Sequence, residues 1–163
     1  MKVYHGGTEI VEKPLTSVGR NNLDFGRGFY VTDIAEQAIS WAKRPYNTGK
    51  QKILNIYDFQ LEQAVASGLR LKQYDSYDME WLDFVIANRQ GSTVWKEFDI
   101  VSGGIANDRI FNTIELYTAG IISKDEALER LKYEKPNRQI CIISQQAADN
   151  YLLFSGYKTL EEP

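Results

Sequence analysis

The chain is 163 residues long with a formal net charge of −3 and a pI near 5.3, an ordinary single-domain size with no global basic field for nucleic acid. One cysteine, Cys141, leaves no internal disulfide and no cysteine cluster, and one histidine, His5, excludes every chemistry that needs two, including the His-Glu-x-x-His zinc site. The aromatic share, 12% with ten tyrosines, is the unusual feature, because tyrosine serves core edges and flat ligands alike.

The start of the chain carries no basic segment followed by an apolar run, so a secretory signal is not expected. No apolar stretch approaches the length of a membrane span, and the expected location is the cytoplasm. Proline is scattered and no repeat or low-complexity tract occurs, so residues 1–163 read as one domain.

In chain order, Lys2–His5 reads as a short strand, and Thr8–Phe25 as a polar loop with Pro14, Gly19 and Asn21-Asn22. Gly28–Thr32 is a strand and Asp33–Lys43 a helix whose Ile34, Ala38, Trp41 and Ala42 form one stripe. Asp33 and Glu36 suggest a capping box, and Pro45 stops the helix. Ile53–Phe59 and Leu69–Gln73 are strands, and Asp78–Asn88 is a helix burying Trp81, Leu82, Val85 and Ile86. A strand at Asp99–Ser102 ends on Gly103-Gly104. Asn107–Tyr117 is a helix closed by a left-handed Gly120, and Ser123–Leu131 is a helix with Ser123 as N-cap. Gln139–Ser144 and Leu152–Lys158 are the last strands. The sum is an α+β domain whose strands lack regular crossover helices, which favours it over a doubly wound parallel sheet.

Four constellations could carry chemistry. Tyr4-His5-Gly6-Gly7 places the single histidine beside glycines that let a ligand approach the backbone; taken alone, such a histidine is more often structural. Gly26-Arg27-Gly28 precedes a strand, so it is not the dinucleotide fingerprint, which follows a strand and opens a helix. Phe29 and Tyr30 point to opposite faces of their strand, so one can pack in the core while the other lines a groove. Trp41 is either core or a second aromatic wall opposite Tyr30, and Gln139 opens a late strand, where a glutamine is usually an ordinary edge residue.

Together, Tyr4-His5-Gly6, then Phe25-Gly26-Arg27-Gly28-Phe29-Tyr30-Val31-Thr32-Asp33, then Trp41 resemble the ADP-ribosyltransferase superfamily on its histidine-tyrosine-glutamate branch. That branch includes diphtheria-toxin-like toxins and the poly(ADP-ribose) polymerases. The whole chain also resembles a bacterial family of unknown function within that superfamily, through Trp41-Ala42, Asp99-Ile-Val-Ser-Gly-Gly-Ile-Ala-Asn-Asp108 and a late Gln-Ile strand.

The resemblance implies a split β-sandwich of two antiparallel sheets with flanking helices around a cleft for NAD⁺, consumed as co-substrate without a metal. It implies catalytic roles for His5, Tyr30 and Gln139. His5 would bond a ribose hydroxyl, Tyr30 would stack on the nicotinamide with Trp41 opposite, and Gly6 would bind its amide. Gly28 would also belong to this NAD⁺ site, and Arg20 and Arg27 are the candidates to meet the pyrophosphate. The loop Tyr133–Arg138, with Tyr133, Glu134 and Asn137, would recognise the acceptor. The implied activity is mono-ADP-ribosyl transfer to a protein or nucleic-acid acceptor, in a toxin of a toxin–antitoxin or phage-defence module with an antitoxin protein as a further partner. Gln139 departs from the family glutamate: it can accept a hydrogen bond but supplies no charge, so Glu134 and Asp108 are candidates for a replacement carboxylate. A polymerase serine that meets the amide falls at Ala38. The departure keeps two alternatives open, a non-catalytic NAD⁺ or ADP-ribose binding module and an NAD⁺ glycohydrolase.

Overall fold

A computed structural model describes residues 1–134 and 137–161. Two sheets form the frame. In the first, β1 (Lys2–Gly7), β3 (Lys52–Phe59) and β7 (Leu152–Leu160) run antiparallel in the order β1-β3-β7. In the second, β2 (Phe29–Val31), β6 (Arg138–Ile142), β5 (Ile100–Gly104) and β4 (Leu71–Gln73) lie in the order β2-β6-β5-β4. The pairing is antiparallel except between β4 and β5, which are parallel. The α+β class therefore holds, and a doubly wound parallel sheet does not.

The sheets meet at one point. Tyr4 of β1 and Thr32, just past β2, exchange both backbone hydrogen bonds, at 2.8 and 3.0 Å. Thr32 also donates its hydroxyl to the Arg138 carbonyl at 2.7 Å, so β1, β2 and β6 are tied together at this corner. Beyond it β1 and β2 diverge, and the gap between them opens into a cavity.

Six helices flank the sheets: α1 (Ala35–Ala42), α2 (Leu61–Ala66), α3 (Met79–Arg89), α4 (Asp108–Thr118), α5 (Lys124–Leu131) and α6 (Gln145–Tyr151). The expected N-cap at Ser123 forms, and Asp78 and Asn107, not expected as caps from the sequence, also act as caps. Asp78, Asn107 and Ser123 each accept a backbone N–H from the third residue onward, which satisfies an orphan donor of α3, α4 and α5. Gly120, at φ +74°, closes α4 in the left-handed conformation. The capping box at Asp33 does not form. Ile34 is the N-cap, and the Thr32 hydroxyl accepts its N–H at 3.2 Å instead.

Helix α1 buries Ala38, Trp41 and Ala42 as its stripe requires. It lies so close on β1 that a Cβ on Gly6 would come within 1.6 Å of the Ala38 carbonyl oxygen. One large cluster around Phe25, Trp81, Phe84 and Ile110 fills the space under α3, α4 and α5, and Tyr30 packs against it. A second, around Val3, Phe29, Tyr57 and Ile140, fills the space between the sheets. Phe29 and Tyr30 thus face opposite cores, as strand alternation demands. No helix among the described residues is long and apolar enough to cross a membrane.

Candidate functional site

The gap between the sheets is a cavity of about 570 Å³, lined among others by His5, Gly6, Gly28, Tyr30, Trp41 and Gln139. That volume lies in the range of small-molecule pockets. Three separate strands and one helix bring these residues together.

His5 points from β1 toward β2. Its Nδ1 lies 2.8 Å from the Tyr30 carbonyl oxygen. A carbonyl only accepts, so the proton sits on Nδ1 and Nε2 keeps a free lone pair. Burial lowers the His5 pKa, partly opposed by the Tyr30 bond, so the ring is neutral at pH 7. Phe29 packs against it at 4.4 Å between centroids.

Tyr30 is held by its hydroxyl, which donates to the Gly26 carbonyl at 2.7 Å and accepts the Phe25 N–H at 3.0 Å. Burial, with the nearby Cys141 next in effect, raises its pKa well above the ordinary tyrosine value. The phenol is therefore a neutral anchor, and its ring is left to line the cavity. Trp41 lines the same cavity from α1, and among the described residues the two rings make no contact with each other.

Gly6 has two separate constraints. Its missing side chain lets α1 sit on β1, a packing reason that glycine-rich sequence alone does not distinguish from ligand approach. Its backbone has the second. Tyr4 directs both its polar groups at Thr32. The period of two along an antiparallel strand then directs the Gly6 N–H and C=O to that same edge. Among the described residues nothing bonds them across the gap.

Gln139, at the start of β6, is buried. Its Nε2 donates to the Gly104 carbonyl at a long 3.4 Å, which leaves Oε1 without a hydrogen bond among the described residues. Its strand lies beside β2 rather than beside β1, so His5 and Gln139 approach the cavity from different sheets.

At the mouth stand Arg20, Arg44 and Tyr46. The Arg20 guanidinium lies 5.5 Å from the Tyr46 ring centre, and Arg44 donates to the Tyr46 hydroxyl at 3.4 Å. Burial pushes the Tyr46 pKa up, but the Arg44 hydrogen bond and the charges of Arg44 and Arg20 outweigh it, and the net shift is downward. Arg44 was not signalled by any motif. Nor were Val11, Leu15 and Val18, apolar residues of the loop before β2 that roof the cavity. That loop is fastened from beneath. Asn55, fully buried and directly across from His5, accepts the Val11 N–H at 2.9 Å and donates to the Glu9 carbonyl at 3.0 Å. Tyr57 donates to the Val11 carbonyl at 2.6 Å.

Several expected site residues lie elsewhere. Arg27 does not line the cavity, and neither do Tyr133, Glu134 and Asn137. Tyr133 is exposed, and Glu134 sits 3.5 Å from Arg109 in a separate cleft. Lys135 and Pro136 of that loop lie outside the described residues. Asp108 is exposed at the start of α4 and also stays out of the cavity. The carboxylate that does line it is Asp24, paired to Arg89 at 2.7 Å. No group of three or more His, Cys, Asp or Glu side chains among the described residues could hold a metal ion.

No curated protein and no solved structure matches the chain. A family model described as protein of unknown function (DUF3990) matches residues 1–154, so the chain belongs to that family.

Proposed function

We propose that the cavity binds NAD⁺ and that the protein transfers its ADP-ribose to a macromolecular acceptor, releasing nicotinamide. The observation that supports this best is the convergence of His5, Gly6, Tyr30, Trp41 and Gln139, from β1, β2, α1 and β6, on one cavity with arginines at its mouth. The resemblance of the same residues to ADP-ribosyltransferases gives each a role.

Cleaving the nicotinamide–ribose bond sends the bonding pair to the ring nitrogen and leaves an oxocarbenium-like carbon on the ribose. Such a reaction needs the leaving group held flat and the sugar held still. Tyr30 and Trp41 supply flat walls for the nicotinamide, and the Gly6 N–H and C=O, unpaired among the described residues, match the donor and acceptor of a carboxamide. The Nε2 of neutral His5 and the Oε1 of Gln139, without partners among the described residues, are acceptors for ribose hydroxyls. Arg20 and Arg44 are cations at the mouth for the pyrophosphate, where Arg44 replaces Arg27 in the expected set. The acceptor's lone pair then adds to the ribose carbon and its proton leaves.

Incubation with NAD⁺ labelled in the adenylate half, with and without cell lysate, tests this. Nicotinamide release with label on a macromolecule is the expected outcome. Release without macromolecular label would favour a glycohydrolase. Tight NAD⁺ binding without release, even with lysate present, would favour a binding module.

A further inference from the structure

A second cleft of about 730 Å³ lies next to the first. Leu23, Asp24, Arg89 and Phe111 line both, so they form a shared wall. The floor of the second cleft is apolar, with Ile86 and Ile114 beside Leu23 and Phe111. Its rim includes Glu115, which makes no ion pair among the described residues, and Thr118.

The wall is rigidly built around Asp24. Arg89 donates its Nε to Asp24 Oδ1 at 2.7 Å, and Asn88 donates its side-chain amide to the Asp24 carbonyl at 2.9 Å. The Arg89 guanidinium in turn rests 4.6 Å from the centre of the Phe111 ring. Both members of the ion pair are mostly shielded, with side chains 17% and 22% exposed. Asp24 Oδ2 makes no hydrogen bond among the described residues. Asp24 is also the one carboxylate among the described residues lining the donor cavity, the cavity in which Gln139 stands where a charged group was expected.

We propose that the second cleft receives the acceptor, a protein side chain whose nucleophile is an O–H or N–H, and that Asp24 takes the proton which that nucleophile must lose. This rests on the NAD⁺ reading of the first cavity. The acceptor's lone pair forms the new bond to the ribose carbon. The carbon–nitrogen bond to nicotinamide breaks with its electron pair going to the ring nitrogen. The acceptor's proton moves to Asp24 Oδ2 and from there to water.

The acceptor class follows from charge. The Asp24 and Arg89 charges cancel, which leaves Glu115 as the uncompensated group among the described residues of the cleft. Among the described residues no unpaired cation lines it to meet a phosphate backbone, so nucleic acid has no electrostatic footing there. A carboxylate acceptor would be repelled and has no proton to give. A neutral or cationic side chain, its stem on the apolar floor, fits both conditions.

The charged and titratable groups that feel Asp24 are Arg89 from α3, the Tyr30 hydroxyl from β2 and the Tyr77 hydroxyl from the segment before α3. Burial holds the Tyr30 pKa well above its ordinary value and pushes that of Tyr77 up to about 12. His5, in the same cavity, is shifted down. None of these interferes between pH 7 and 9.

The test reads the ratio of label transferred to nicotinamide released, in lysate, for the wild type, Asp24→Asn and Thr118→Trp. A misfolded variant lowers both quantities together, whereas loss of acceptor binding or of the base lowers the ratio. Both variants are expected to lower it by about tenfold or more, the range of a lost general base. For Asp24→Asn the remaining transfer is expected to climb with pH as hydroxide takes over, while wild-type transfer stays flat between pH 7 and 9. Label is expected in the protease-sensitive fraction. An unchanged ratio in either variant, a flat profile for Asp24→Asn or nuclease-sensitive label would overturn the proposal while leaving the NAD⁺ reading intact. A wild type that releases no nicotinamide would overturn both.

Discussion

Replacing Gly6 by alanine separates packing from chemistry at the floor of the cavity. The new Cβ would stand 1.6 Å from the Ala38 carbonyl oxygen and 2.6 Å from its carbon, where ordinary contact begins at 3.4 Å. Both atoms are helix backbone, so no side-chain rotation relieves the clash, and α1 must move away from β1 by something approaching 2 Å. Overpacking of this kind costs roughly 1–3 kcal/mol or more. In a chain of this size that is a fall of about 3–10 °C in melting temperature, by the usual few degrees per kcal/mol. The same movement carries Trp41 out of the cavity wall, and a 1 Å misplacement of a positioning group costs on the order of a hundredfold in rate. Gly7→Ala is the internal control, because its Cβ would meet nothing closer than His5 Nε2 at 3.4 Å. Thermal unfolding followed by circular dichroism, alongside nicotinamide release, reads both effects. Gly6→Ala with wild-type melting would refute the packing argument, and Gly7→Ala melting as low as Gly6→Ala would refute the distinction between the two glycines.

Gln139→Ala should cut nicotinamide release by about one order of magnitude, since a single hydrogen bond to a ribose hydroxyl is worth roughly 1 kcal/mol or slightly more; kinetics at saturating NAD⁺ measure it, and an unchanged rate removes Gln139 from the site. His5 resists protonation in the folded protein because burial lowers its pKa. The unfolded chain takes up that proton near its ordinary pKa of about 6.5. Unfolding therefore binds a proton below that pH, and stability falls as pH drops from about 6.5 until the folded His5 also titrates. Denaturant titrations at pH 7.5 and 5.5 should show this, and His5→Asn should flatten that component; an equal pH dependence in the variant contradicts it. Cys141 is fully buried and its thiol is pushed up to about 12. A disulfide reagent at pH 8 should therefore modify it only as fast as the protein opens, and rapid stoichiometric reaction in native buffer would be inconsistent with the burial.

The parts of the fold carried by strong local chemistry were legible in the sequence. The stripe of α1, the Ser123 cap of α5 and the glycine stop of α4 each depend on residues within one or two turns of each other. Helices α2 and α6 were not expected. Each is less than two turns long and sits between strands, and Ser144, the N-cap of α6, reads equally well as the end of a strand. The Asp33 box failed because the helix starts one residue later than its spacing implies, with Ile34 as the N-cap and the Ile34 N–H held by the Thr32 hydroxyl.

At the site, His5, Tyr30, Trp41 and Gln139 are singled out by the resemblance to ADP-ribosyltransferases, and all four line one cavity. Arg44, Asp24, Arg89 and the roof residues Val11, Leu15 and Val18 carry no local signal. Asp24 and Arg89 are 65 residues apart and meet only because α3 ends against the loop before β2. Asn55 looks like one more strand residue until its pairing opposite His5 places its amide under the roof loop. Glu134 illustrates the reverse case, since a plausible carboxylate near the expected loop is turned toward Arg109 and a different cleft.

The central claim is that the cavity between the sheets cleaves the nicotinamide–ribose bond with a neutral His5 in place. Nicotinamide released from NAD⁺ by the purified protein, quantified by chromatography for the wild type and for His5→Ala at matched folding by circular dichroism, tests it most directly. Time-dependent release by the wild type, lost in a folded His5→Ala, is the expected result. Equal release by the two proteins, or none by a wild type that is folded and supplied with lysate, would contradict the claim.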